Sequence, residues 1–136
     1  MKRDTGASPS TAAWMCVALA VAGCAPAVPQ PPPSGLAELM QRPGERALIE
    51  GIRSYDEAQY GAAEVHLRRA LVGGLAAAKD RAAAHKLLAF IACTTDRTAD
   101  CATQFVAARA ADPGFQLSRS EAGHPLWGPV YRRALP

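Results

Sequence analysis

Aromatic side chains are scarce in this chain, and basic residues form no extended run. Phe, Trp and Tyr make up 6% of the 136 residues, and the formal net charge is only +3. A basic stripe with interleaved aromatics, the usual footprint of nucleic-acid binding, is therefore missing. Hydrophobic residues reach 49%, which excludes a disordered polyelectrolyte. The length allows one small domain, and the abundance of Ala favours closely packed helices.

Proline is missing from the interval between Pro43 and Pro113, although the chain contains eleven prolines. Because proline breaks helices from within, this interval is where we expect the folded domain. No stretch in it alternates convincingly between apolar and polar residues, so a sheet is not expected. Apolar residues instead recur at helical spacing, which predicts an all-α domain. In its first helix the side chains expected to face the core are Leu48, Ile49, Ile52 and Tyr55.

Turn signals divide this helical pattern into four main helices. They are expected to begin near residue 45, after a turn at residues 59–61, between residues 75 and 79, and near residue 99. Gly73 and Gly74 are expected to end the second helix. A polar break at residues 94–98 ends the third helix, and Asp-Pro-Gly at residues 112–114 ends the fourth.

The N-terminal apolar run, residues 12–22, is too short to cross a membrane. Eleven helical residues reach about 16 Å, against a hydrocarbon core of about 30 Å. With Lys2 and Arg3 before it, the run is typical of a secretory signal. It ends in Val-Ala-Gly-Cys at residues 21–24, which resembles the lipobox of bacterial lipoproteins. The resemblance implies cleavage before Cys24 and diacylglycerol on its thiol; the alternative is an ordinary signal with a chance cysteine.

Cys24 is followed by a Pro-rich segment. Residues 25–35 contain five prolines, which favour a solvated polyproline II spacer of roughly 30 Å. A Pro-rich docking ligand is the alternative interpretation. Ala25 stands where Asp would favour inner-membrane retention, so the lipoprotein resemblance implies the outer membrane. We divide the chain into a signal peptide (1–23), a lipidated cysteine with its spacer (24–44) and a helical domain (45–136).

The helical domain contains an internal repeat. Counted from Gly51 and from Ala89, corresponding residues stand nine, twelve, sixteen and nineteen positions on. The pairs are Tyr60 and Thr98, Ala63 and Cys101, Leu67 and Phe105, and Ala70 and Ala108. This spacing resembles the tetratricopeptide repeat and implies two helix hairpins, although the anchors lie 38 residues apart, not the usual 34. Ala47, Glu50 and Leu75 depart from the Trp, Leu and closing Pro of that family.

Two hairpins alone would leave an end uncovered, and the C-terminal tail is expected to cap it with a short helix. Ser118-x-x-Glu121 is a capping-box pattern, and Pro129 suits the first turn of a final helix. The tail's aromatic residues are expected to cover the core. The alternative is an exposed partner anchor, because Trp, Tyr and Arg are preferred at interface hot spots. The candidate partner-binding residues are Trp127, Tyr131, Arg132 and Arg133.

Apart from Cys24, which the lipobox resemblance assigns to lipid, Cys93 and Cys101 remain after removal of the signal. The turn between the third and fourth helices brings their inner faces together, so these two residues are disulfide candidates, and an exported protein permits such a bond. The alternative is two buried thiols that serve as small packing residues. A redox-active pair is not expected, because the spacing is not C-x-x-C.

Residues that would carry catalysis or bind a metal do not cluster. His66, His85 and His124 fall on separate elements, with no i, i+4 pair and no H-E-x-x-H. The chain has no phosphate-binding Gly loop and no G-x-S-x-G. Carboxylates such as Glu50, Asp56, Glu57 and Glu64 are expected on solvated helix faces, not in a paired acid/base site. We therefore expect no catalytic residue, no metal, no cofactor and no small-molecule substrate.

The mature region as a whole resembles tetratricopeptide-like lipoproteins associated with type VI secretion, of the TssQ type. The resemblance is carried by residues 21–24, 51–55 (Gly-Ile-Arg-Ser-Tyr), 85–93 (His-Lys-Leu-Leu-Ala-Phe-Ile-Ala-Cys), Cys101, Phe105, 112–113 and 124–131 (His-Pro-Leu-Trp-Gly-Pro-Val-Tyr). It implies an accessory lipoprotein on the periplasmic face of the outer membrane that binds components of the secretion apparatus and has no catalytic activity.

Two alternatives to this function stay open. The first is a lipoprotein that assists pilus or outer-membrane protein assembly. The second is a small periplasmic redox or cell-wall enzyme using Cys93, Cys101 or His85, although no nucleophile, base and oxyanion donors are positioned together in the sequence.

Overall fold

The computed structural model describes Gly35 and residues 41–136. Within that part of the chain six helices form and no residue lies in a strand, so the predicted all-α class is confirmed there. The expected signal peptide, the lipid-attachment residue Cys24 and most of the spacer lie outside the described residues. The helices are α1 (Pro43–Asp56), α2 (Tyr60–Val72), α3 (Ala78–Thr94), α4 (Thr98–Ala111), α5 (Arg119–Ala122) and α6 (Gly128–Ala134).

The turns of the first two helix pairs have the same geometry. Three residues join α1 to α2, and three join α3 to α4. One non-glycine residue in each turn has a left-handed backbone, Ala58 with φ 57° and Asp96 with φ 58°. The next residue, Gln59 or Arg97, has nearly identical dihedral angles and donates its amide to the carbonyl five residues back over 2.8 Å. The matched residues are 38 positions apart, so the two pairs form a structural repeat.

Helix packing follows this pairing. The closest associations are α1 with α2 and α3 with α4, and α2 also packs against α3. Because each connection within a pair is only three residues long, the paired helices run in opposite directions. The connection from α2 to α3 is longer and contains Gly74 at φ 80°, a conformation that glycine adopts without strain. Gly73 caps the C-terminus of α2.

The helix α3 lies between two hydrophobic clusters and contributes to both. Its residues Ala84, Leu88 and Ile91 join the cluster formed with α1 and α2. Its residues Ala89 and Phe90 join the cluster formed with α4 and the C-terminal tail. A helix that is apolar on most sides is expected to be buried on most sides, and α3 is the central helix of the domain.

The buried face of α1 differs from the one predicted. Ile49 and Ile52 are 40% and 39% exposed, while the buried residues include Ala47 and Gly51 together with Leu48. The reason is size. A Cβ added to Gly51 would lie 2.8 Å from side-chain carbons of Leu67, so α2 approaches α1 along its small residues and the isoleucines are turned away.

The C-terminal tail packs on the second helix pair. Phe115, Leu117 and Val130 are buried in the cluster that α3 and α4 form. The predicted capping box of α5 is confirmed: Glu121 donates its amide to Ser118 Oγ over 3.2 Å, and Ser118 donates its amide to Glu121 Oε2 over 2.8 Å. Pro129 stands in the first turn of α6, as predicted.

Candidate functional site

Most positions that the sequence matched as a repeat are matched in burial; the exception is the pair Tyr60, which is partly buried, and Thr98, which is exposed. In α2, Ala63, Leu67 and Ala70 are inaccessible to solvent, and so are their counterparts in α4. The anchors Gly51 and Ala89 are also buried. Small residues occupy the helix crossings in both pairs, with one large apolar side chain between them. The α4 counterparts are Cys101, Phe105 and Ala108.

A disulfide joins Cys93 to Cys101. Cys93 lies one residue before the last residue of α3, and Cys101 lies in the first turn of α4. Their Cα atoms are 5.2 Å apart, and both side chains are buried. The bond spans the Asp96 turn and fixes the two helices of the second pair at their connected ends.

An ion-pair cluster connects the first helix pair to the second. Glu64 of α2 accepts two hydrogen bonds from the guanidinium of Arg97, over 3.0 and 2.8 Å, and a third from Arg68 over 2.6 Å. The hydrogen bonds from Arg97 are the main cause that lowers the pKa of Glu64 from 4.5 to about 2, against partial burial, which acts in the opposite direction. Charge-assisted bidentate pairs of this kind have a defined geometry, so the Glu64–Arg97 pair links α2 to the turn before α4 in one orientation.

Trp127, a predicted partner-binding residue, is half-buried in an aromatic stack. The centroid of its ring lies 4.3 Å from the ring centroid of Phe90 on one side and 3.4 Å from that of the His124 imidazole on the other. Its indole N–H donates to the carbonyl of Glu121 over 2.9 Å. The Glu121 carboxylate pairs with Lys86 at 2.7 Å, which ties α5 to α3. The packing of Trp127 therefore matches the covering role.

Tyr131, the second predicted aromatic, is also half-buried. It contacts the rings of Phe105 and Phe115 edge-on, with centroids 5.2 and 6.4 Å away. Arg132 and Arg133 are exposed on the same helix. Arg132 donates to the carbonyl of Ala122 over 3.0 Å. The four candidate residues thus divide into two that cover the core and two that face solvent.

The histidines do not come together. His85 Nδ1 lies 2.8 Å from Gln104 Oε1, a contact between α3 and α4. His124 stacks in the tail, and His66 lies beside a shallow groove between α1 and α2. Among the described residues no group of three or more His, Cys, Asp or Glu side chains could hold a metal ion.

A pocket that the sequence interpretation missed lies beside the exposed isoleucines of α1. It measures about 230 Å³. Its apolar wall is formed by Ile49, Ile52 and the edge of Leu48, and two carboxylate residues complete it, Glu45 in the first turn of α1 and Asp80 in the first turn of α3. The signal that could have revealed it was the presence of small residues on the opposite side of α1, which left the isoleucines facing outward.

Similarity to known proteins adds no family to this description. No protein-family model, curated protein or solved structure matches the chain. Among the described helices none is long and apolar enough to cross a membrane.

Proposed function

We propose that this chain is an outer-membrane lipoprotein whose helical domain serves in the periplasm as a protein-interaction scaffold, as an accessory of a type VI secretion system. The observation that carries the proposal is the 38-residue repeat of helix pairs, with equivalent turns at Ala58 and Asp96 and equivalent buried positions in α2 and α4. Stacked helix pairs of the tetratricopeptide type present extended surfaces to protein partners, and the C-terminal tail acts as their terminal cap.

The disulfide supports an exported location. Disulfides persist in oxidising compartments such as the bacterial periplasm and are rare in the cytosol. The bond between Cys93 and Cys101 is buried inside the domain, which is the setting of a structural disulfide. The anchoring itself rests on the sequence: the apolar run, the Val-Ala-Gly-Cys of residues 21–24 and the Pro-rich spacer.

The exposed apolar residues support a scaffold. Ile49, Ile52, Val65 and Val106 are large aliphatic side chains at the surface of the two helix pairs. Ile49 and Ile52 line one pocket, so their apolar surface is contiguous and available for burial against a second protein. Partners are expected among the components of the secretion apparatus, and the lipid on Cys24 would keep the domain near the membrane where they assemble.

A complementation experiment tests this function. A deletion strain of the source bacterium receives the wild-type gene or the Cys24→Ser variant, and secretion by its type VI system is measured. We expect the deletion to reduce secretion, the wild type to restore it and Cys24→Ser to restore it poorly. Unchanged secretion in the deletion strain would exclude the accessory role. A defect in pili or outer-membrane proteins, with normal secretion, would favour the alternative assembly lipoprotein.

A further inference from the structure

The pocket beside α1 contains a buried carboxylate with one unused oxygen. The Glu45 residue is only 6% exposed. Its Oε1 accepts a hydrogen bond from the amide of Ala76 over 3.3 Å, and Arg42 Nη1 lies 3.7 Å from the same oxygen. Its Oε2 is buried and has no hydrogen-bond partner in the described part of the chain. A buried acceptor without a donor is costly. Because Oε2 has almost no solvent-accessible surface, an incoming donor would pair with it only after a small shift of the Glu45 side chain.

A second carboxylate and an apolar wall line the same pocket as Glu45. Asp80 lines the same pocket from α3, while Ile49 and Ile52 form its largely apolar side. The volume of about 230 Å³ is below the range of about 300–1,000 Å³ typical of small-molecule sites. The pocket therefore has the size for one long side chain. A bare divalent cation fits the composition poorly, since calcium takes six to eight oxygen ligands.

We propose that this pocket binds an arginine side chain of a partner protein, whose apolar neighbour in the sequence packs on Ile49 and Ile52. The guanidinium carries five N–H donors and a permanent charge, which complement the two carboxylates, and its aliphatic stem suits the apolar wall. The inference rests on the proposed scaffold function and specifies the chemistry of its partner.

Probe peptides test the proposal directly. The full mature chain, solubilised in detergent and isotope-labelled, is titrated with acetyl-Ser-Ile-Arg-Leu-Ser-amide and followed by NMR. We expect saturable shifts of the Ile49 and Ile52 methyl signals. Peptides with Gln or Glu in place of Arg should bind at least about tenfold more weakly. Equal binding of all three peptides, or shifts confined to other surfaces, would overturn the proposal.

Matched charge variants locate the interaction. Asp80→Asn should weaken binding of the arginine peptide about threefold to tenfold. Asp100→Asn is the control, since Asp100 has the equivalent first-turn position in α4 but does not line the pocket, and it should change affinity less than about twofold. Glu45→Gln should also weaken binding of the arginine peptide. If Glu45→Gln folds poorly, the affinity of Asp80→Asn alone decides the result. An unchanged affinity in Asp80→Asn would refute the site.

Photo-crosslinking in cells separates this inference from the scaffold function. A photoreactive amino acid is placed at Ile52 or, as the comparison, at exposed Val106 of α4. We expect Ile52 to crosslink to a partner segment that contains arginine beside an apolar residue. Crosslinks to a partner from Val106 but not from Ile52 would support the scaffold function and refute the arginine pocket. Absence of crosslinks from Ile52 and from Val106 would count against the scaffold function and the arginine pocket alike. Crosslinks from Ile52 to residues 36–40 of the same chain, or to a second copy, would also refute it.

Discussion

Phe105 is the largest fully buried side chain in the described domain, and its truncation is the most direct test of the packing. Its ring contacts Phe90 at 6.1 Å and Tyr131 at 5.2 Å between centroids, both edge-on. The side chain thus joins α3, α4 and α6 in one cluster. Replacement by Ala removes these contacts and leaves a cavity, which costs about 3–5 kcal/mol in comparable cores.

That loss is large against the about 5–15 kcal/mol that stabilises a typical domain. Urea unfolding of residues 25–136, produced without the lipidated cysteine and followed by circular dichroism, measures this loss. Val106→Ala is the matched control, because Val106 is the next residue and lies half-exposed, and its effect should stay below about 0.5 kcal/mol. If Phe105→Ala prevents folding, Phe105→Leu should still show a loss of about 1–2 kcal/mol. A loss below about 1 kcal/mol in Phe105→Ala would refute the central position of this ring.

Three further predictions concern the helix crossings, the ion-pair cluster and the disulfide. Gly51→Ala should lower the free energy of unfolding in urea by about 1–3 kcal/mol, because α1 and α2 approach closely at this residue. Gly61→Ala is the control: nothing lies within 4 Å of its added Cβ, so it should raise the free energy of unfolding by about 0.5–1 kcal/mol. Equal effects of the two substitutions would contradict the close packing at Gly51. The pKa of Glu64 in the folded state lies below its ordinary value, so the ionised carboxylate stabilises the fold above pH 4.5, and this stabilisation is lost as pH falls toward 2. Glu64→Gln should therefore lower the free energy of unfolding by about 1–2 kcal/mol at pH 7. In urea unfolding at a series of pH values, the difference between variant and wild type should shrink from pH 4.5 to pH 2; a constant difference would contradict the ion pair. Changing both Cys93 and Cys101 to Ala should cost about 2–3 kcal/mol, and intact mass after alkylation without reductant should find no free thiol in this pair; two alkylated thiols would contradict the bond.

Much of the fold was predictable because it depends on local signals. The helices, the Gly73 end of α2, the capping box at Ser118 and the final helix at Pro129 each have a mechanism that acts within a few residues. The repeat was predictable for a different reason. Its signal is the recurrence of small and large residues at fixed spacing, and the matched positions twelve, sixteen and nineteen residues after each anchor are buried in both pairs.

Other features depend on contacts between distant parts of the chain. The face of α1 was predicted from hydrophobicity, whereas the structure is decided by size: Gly51 permits the approach of Leu67, and Ile49 is left exposed. The pairing of Glu64 with Arg97 joins residues 33 positions apart, and no local pattern specifies it. The pocket beside α1 depends on the size of the residues at the helix crossing and on contacts between distant parts of the chain, so the sequence did not reveal it.

The proposed function depends most on the lipid anchor, and mass spectrometry of the N-terminal peptide tests it directly. The protein is purified from the membrane fraction of the source bacterium and its N-terminal fragment is sequenced. We expect Cys24 as the first residue, carrying diacylglycerol, and release of the Cys24→Ser variant from membranes with its helical domain still folded. An N-terminus at another residue, an unmodified Cys24 or a Cys24→Ser variant that stays membrane-bound after a high-salt wash would contradict the lipoprotein proposal.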